Sequence, residues 1–142
     1  MIAWAQEYEE IIFALSVGNE ACVDWTDHLV PVERVVEFVN KVKQDARQPV
    51  TFCENYVPWL HKLKALANVV DFISIHSYPV WEYKTIGEAL AYTHENFSAV
   101  AAMYPDRPVV ITEAGWATHS NGRGILPEHV NLSLIHISEP TR

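Results

Sequence analysis

Two glutamates close apolar runs far apart in the chain. Glu20 follows Ile11-Ile12-Phe13-Ala14-Leu15-Ser16-Val17-Gly18-Asn19, and Glu113 follows Pro108-Val109-Val110-Ile111-Thr112 and precedes Ala114-Gly115-Trp116. Continuous runs of this kind read as strands of a parallel sheet buried on both faces. Each carboxylate therefore stands where a strand leaves its sheet, which in a (β/α)8 barrel is the active rim. Two carboxyl groups across a groove are the apparatus for breaking a glycosidic bond. In the retaining form they lie about 5–5.5 Å apart, one protonated and one ionised. Most glutamates are solvated surface residues. Two at strand ends on the expected catalytic face of a barrel carry the chemical reading instead.

The elements that must position them alternate. Residues 3–10 read as the end of a helix and residues 11–18 as a strand. Pro31 opens a helix in which Val32, Val35, Val36, Val39 and Val42 recur at helical spacing. Residues 49–54 form the next strand, and a short helix follows with Leu60, Leu63 and Leu66. Residues 69–76 form the third strand. Thr85 and Glu88 make a capping box at the head of a long helix ending near Tyr104-Pro105. Residues 108–113 form the fourth strand. The strand-end residues Glu20, Glu54, His76 and Glu113 are 34, 22 and 37 positions apart. A barrel of ~250 residues allots about 31 to each βα unit. Alternating β and α implies a parallel sheet. Four strands cannot close such a barrel, so the chain is either part of one or a smaller open α/β sheet.

Composition narrows the partners. The chain has 142 residues and a net charge of −8, which argues against nucleic acid or an anionic membrane. No run is long enough to span a membrane, and no leader is visible after Met1. The histidines are scattered, with no HExxH and no CxxC, so no metal or cofactor is expected. There is no phosphate-binding glycine loop and no GxSxG elbow; Gly122-Arg123-Gly124 falls in a loop after the last strand. Cys22 and Cys53 permit one disulfide, but two buried free thiols are the plainer expectation. Asn96-Phe97-Ser98 matches a glycosylation sequon inside a helix, where it reads as chance.

The motifs as a set resemble glycoside hydrolase family 17 of the clan A (β/α)8 glycosidases, in its bacterial branch. Val17-Gly18-Asn19-Glu20 is similar to the strand-four motif, and Ile111-Thr112-Glu113-Ala114-Gly115-Trp116 to the strand-seven motif. Asp71-Phe72-Ile73-Ser74-Ile75-His76-Ser77-Tyr78-Pro79 is similar to the strand-six segment between them. The resemblance implies a partial barrel of about strands four to seven, with Glu20 as acid/base and Glu113 as nucleophile. It implies a polysaccharide or oligosaccharide substrate, a β-glucan and by family a β-1,3-glucan. Asn19 is placed to hydrogen-bond the sugar 2-OH, Tyr78 to hydrogen-bond and orient Glu113, and Trp116 to stack on a pyranose face. Glu54 and His76 would contact the substrate or position the pair. Trp25, Trp59, Trp81 and Tyr83 are weaker aromatic candidates. Ala117 follows Gly115-Trp116 where plant-type members carry proline, so plant specificity is not carried over.

Two other activities fit the same residues. A transglycosylase would use the same covalent intermediate with a sugar acceptor, and a glucan-binding module would keep the groove without turnover. The last eleven residues, 132–142, match the translation of a transposon-end library adapter. The expected domain is therefore 1–131, half a barrel with two open strand edges and inactive by itself.

Overall fold

A computed structural model describes residues 2–120, 125 and 127–130. The 132–142 tail, the Asn131 sequon and Gly122-Arg123-Gly124 lie outside the described residues. Four parallel strands form one sheet in the order β1 (Leu15–Asn19), β2 (Val50–Asn55), β3 (Ile73–Ser77) and β4 (Val109–Ala114). Helices connect them: α1 (Ile2–Glu7) enters β1, α2 (Val32–Asp45) links β1 to β2, α3 (Tyr56–His61) and α4 (Lys64–Ala67) link β2 to β3, and α5 (Ile86–Met103) links β3 to β4. Sequential parallel strands with helical crossovers are an arc of a (β/α)8 barrel.

The core lies between the sheet and its helices. Val50 and Phe52 of β2 and Ile73 and Ile75 of β3 meet Trp59, Leu63, Leu66, Val35, Val39 and Val100. Each large apolar side chain so buried stabilises the fold by roughly 1.5–3 kcal/mol. The valine stripe of α2 faces this core as its spacing requires: Val35 and Val39 are buried, and Val32, Val36 and Val42 pack at its margin. Pro31 is the residue before the helix rather than its first turn. The capping box of α5 is formed, with the Thr85 N–H donating to Glu88 Oε2 at 2.8 Å.

Several boundaries differ from expectation. The strand expected over 11–18 begins only at Leu15, because the N–H groups of Ile11 and Ile12 both turn back to the Tyr8 carbonyl. Nor is β1 buried on both faces. It is an edge strand, Leu15 is its one buried residue, and Phe13 just ahead of it is 82% exposed. β3 starts at Ile73, not 69, since Val70 donates to the Leu66 carbonyl and prolongs the preceding turn. The single helix expected after β2 is two, parted where Lys62 and Leu63 both donate to the Pro58 carbonyl.

Both cysteines are free; Cys22 is buried and Cys53 only half-buried. Asn96 is buried and donates to Ser77 Oγ at 3.1 Å, a core bond and not an accessible acceptor. No helix among the described residues is long and apolar enough to cross a membrane.

Candidate active site

Each glutamate strand carries one extra residue just before its carboxylate. Along β1, Ser16 pairs with Thr51 and Asn19 with Cys53, so β1 takes three steps where β2 takes two. Along β4, Ile111 pairs with Ile75 and Glu113 with His76, two steps against one. Such bulges re-aim the side chains that follow them. The β1 bulge contains Gly18, where a Cβ would stand 2.7 Å from the Phe52 ring; only glycine permits the strand so close to the core. Ser16 Oγ closes it by donating to the Gly18 carbonyl at 2.7 Å. Glu20 then turns out of the strand with φ +46°, a left-handed conformation that costs a non-glycine residue about 1–2 kcal/mol. Its N–H is tied to the Cys53 carbonyl at 3.0 Å.

The two carboxylates meet on His76. Its Nδ1 lies 3.0 Å from Glu20 Oε1. Its Nε2 lies 3.4 Å from Glu113 Oε1, an ion-pair contact longer than a good hydrogen bond. The imidazole is fully buried, whereas the glutamate side chains are 32% and 39% exposed and reach toward solvent. Burial opposes charge on His76, but the Cys53 thiol and the two carboxylates outweigh it and raise its pKa above the ordinary histidine value. The Tyr78 hydroxyl donates to Glu113 Oε2 at 2.9 Å. Burial and that carboxylate push the Tyr78 phenol up to about 12, so it remains a donor at any working pH.

Glu54 has a different setting. It is fully buried, with Oε2 accepting the Cys22 N–H at 2.7 Å and Oε1 the Asn55 N–H at 2.8 Å. Burial raises its pKa against the pull of those two amides. It ties the loop after β1 to the end of β2 and does not face the groove. Below His76, burial would raise the Cys53 pKa, but hydrogen bonding with His76, Ser16, Thr112 and Ser74 brings it down to about 7.

An open cleft of about 470 Å³ lies on the Glu20 side, lined by Glu20, Trp25, Asn55, Tyr56, Tyr78, Trp81 and Glu82. Asn19 is exposed at the last position of β1. Trp116 is not in the cleft wall; its indole N–H donates to the His129 carbonyl at 2.6 Å. Trp59 is a core residue, fully buried and bonded to the Ser74 carbonyl. Asn55, Tyr56 and Glu82 escaped sequence reasoning. Asn55 and Tyr56 directly follow a strand-end glutamate, and the rim rule extended by two residues would have found them. Among the described residues no cluster of His, Cys, Asp and Glu could hold a metal ion.

A barrel arc that brings two carboxylates together at its rim has the arrangement that breaking a glycosidic bond calls for. The chain belongs to the BtgE/BtgC glycoside hydrolase domain family, whose model matches residues 1–133. Among solved structures it is similar to an endo-laminarinase from Formosa Hel1_33_131, with 26% identity and a TM-score of 0.75 over 85% of this chain and 42% of that one. It shares its fold with a glycoside hydrolase family 17 β-1,3-glucanosyltransferase from Rhizomucor miehei, with 22% identity and a TM-score of 0.66 over 75% of this chain and 39% of the other. An active-site mutant of the Rhizomucor enzyme in complex with laminaritriose matches with 20% identity and a TM-score of 0.69, over 82% and 42% of the two chains. This chain thus spans about two-fifths of the length of these structures. No curated protein sequence matches it.

Proposed function

We propose that the protein carrying this chain is a retaining glycosidase acting on β-1,3-linked glucan. The observation that supports it most is the convergence of Glu20 and Glu113 on the two nitrogens of one buried imidazole. That convergence supports the pairing of two carboxyl groups on which double displacement depends. Glu113, held by the Tyr78 hydroxyl, attacks the anomeric carbon. Glu20 gives its proton to the leaving oxygen, then takes one from the water that releases the sugar from Glu113. The cleft beside Glu20 and Tyr78 would seat the leaving-group side of the glucan, with Trp25 and Trp81 offering flat faces to pyranose rings. Asn19 is assigned to the sugar 2-OH. Support for β-1,3 linkage comes from the laminarinase neighbour.

A sugar bound in that same cleft can replace water, which makes transglycosylation the companion reading. The test is turnover of a soluble β-1,3-glucan by the full-length protein, alongside Glu20→Gln and Glu113→Gln. Both substitutions should lower kcat by at least about 10³-fold. Longer products at high acceptor concentration would identify transfer. Full activity in Glu113→Gln would overturn the nucleophile assignment. Binding without turnover in the wild type would leave a glucan-binding module.

A further inference from the structure

We infer that His76 is a positioning residue which carries one positive charge shared between Glu20 and Glu113, fixing the spacing of the pair and the pH range in which it works. This rests on the glycosidase reading for its consequence in turnover, but its physical basis is independent of any substrate. Like charges side by side resist being ionised together, and a cation between them relieves the repulsion. The imidazole stands in that place, 3.0 Å from one carboxylate and 3.4 Å from the other. It can hardly leave it. β3 puts His76 in register with Glu113 on β4, and the ring is sealed from solvent. The β1 bulge and the left-handed turn at Glu20 then bring the other carboxylate across β2 to the same ring.

The charged and titratable groups around the ring come from each neighbouring strand. Glu20 follows β1, Cys53 and Glu54 belong to β2, and Glu113 belongs to β4. Glu54 is bound to two backbone amides and Cys53 is a weak acid near neutrality. The Cys53 thiol and the two rim carboxylates are the partners of an imidazolium. A charge held this way is present below the elevated histidine value and lost as pH rises through it. Above that pH the carboxylates face one another uncompensated. A structural histidine that only filled space would predict no link between its protonation and either carboxylate.

The experiment follows the His76 ring by NMR titration in the full-length protein, assigned by its loss in His76→Gln. Glu20→Gln and Glu113→Gln should each lower the pH at which the ring titrates, while Cys53→Ser measures the thiol's share. On β-1,3-glucan, His76→Gln should lower kcat by about 10- to 100-fold and leave KM nearly unchanged. It should also move the pH–rate bell to higher pH by about one pH unit. His76→Phe, which keeps neither charge nor hydrogen bond, should lose more. A ring titration indifferent to both carboxylates overturns the proposal, as does a His76→Gln bell that stays in place in a folded protein. A protein inactive on glucan whose ring still answers to both carboxylates upholds the shared charge and overturns the glycosidase reading instead.

Discussion

The face of the sheet that meets the helices and the face that looks into the barrel are made from alternate residues of the same strands. On β2 and β3 the outer set is Val50, Phe52, Ile73 and Ile75, closed off by Trp59, Leu63 and Leu66. The inner set is Thr51, Cys53, Ser74 and His76. There Thr51 Oγ1 and Ser74 Oγ lie 3.1 Å apart, and the Cys53 N–H donates to Ser16 Oγ at 3.2 Å. The two-residue repeat of a strand lets one segment serve both purposes. Stability resides on the outer face, where burial is dry and apolar. The inner face gives up apolar burial to hold a polar ladder that ends in His76 and the two glutamates. Glu20 and Glu54 show the same division. Both end strands, yet the one on the inner side meets an imidazole and the groove, and the other is spent on backbone amides.

The comparison breaks if the faces prove energetically alike. Phe52→Ala should destabilise the full-length protein by about 3–5 kcal/mol, while Ser74→Ala on the inner face costs about 1 kcal/mol. Urea unfolding of the two variants measures the difference, and equal losses would deny that the outer face dominates.

Gly18→Ala probes where the faces touch. Its new Cβ would meet the Phe52 ring at 2.7 and 3.1 Å, and that ring is buried and cannot retreat. Overpacking of this kind costs about 1–3 kcal/mol. Because the bulge also aims Glu20, kcat on glucan should fall in the same variant. A stability loss with kcat intact would separate the bulge from the aim of the carboxylate.

How far the sequence disclosed this arrangement follows from the range of each interaction. The α2 stripe, the Thr85-Glu88 cap and the strand-then-glutamate pattern are local, set by periodicity over a few residues, and the structure has them. The start of β1 was not legible, because the apolar Ile11 and Phe13 look like strand while their fate depends on what lies beside an edge. The bulges were invisible for a related reason: one extra residue changes pairing with a neighbour, not the composition of its own strand. Glu54 and Glu113 look alike in sequence. Only the approach of the Cys22 N–H, 32 positions away, makes Glu54 a buried tie. Nothing local to Trp116 discloses that the His129 carbonyl, 13 positions on, holds its indole N–H.

The smallest effect tests the far end of the sheet, opposite the rim. Asp71 accepts the Val50 N–H at 2.7 Å and pairs with Lys43 at 2.5 Å, clamping the start of β2. Burial opposes its ionisation, but the Lys43 ammonium, the Val50 amide and Arg107 together hold its carboxyl below the ordinary aspartate range. A depressed carboxyl contributes stability above its unfolded pKa, near 3.9, and loses it as pH falls through the folded value. The side chain is 39% exposed, so solvent screening keeps the contribution below about 1 kcal/mol. Urea midpoints at neutral pH and near pH 3 should therefore draw apart slightly more in the wild type than in Asp71→Asn, and added salt should shrink the difference. Activity should not change, because the clamp acts on the end of the strand remote from Glu20 and Glu113. A fall in kcat would mean that the bottom of the sheet also sets the geometry of its rim.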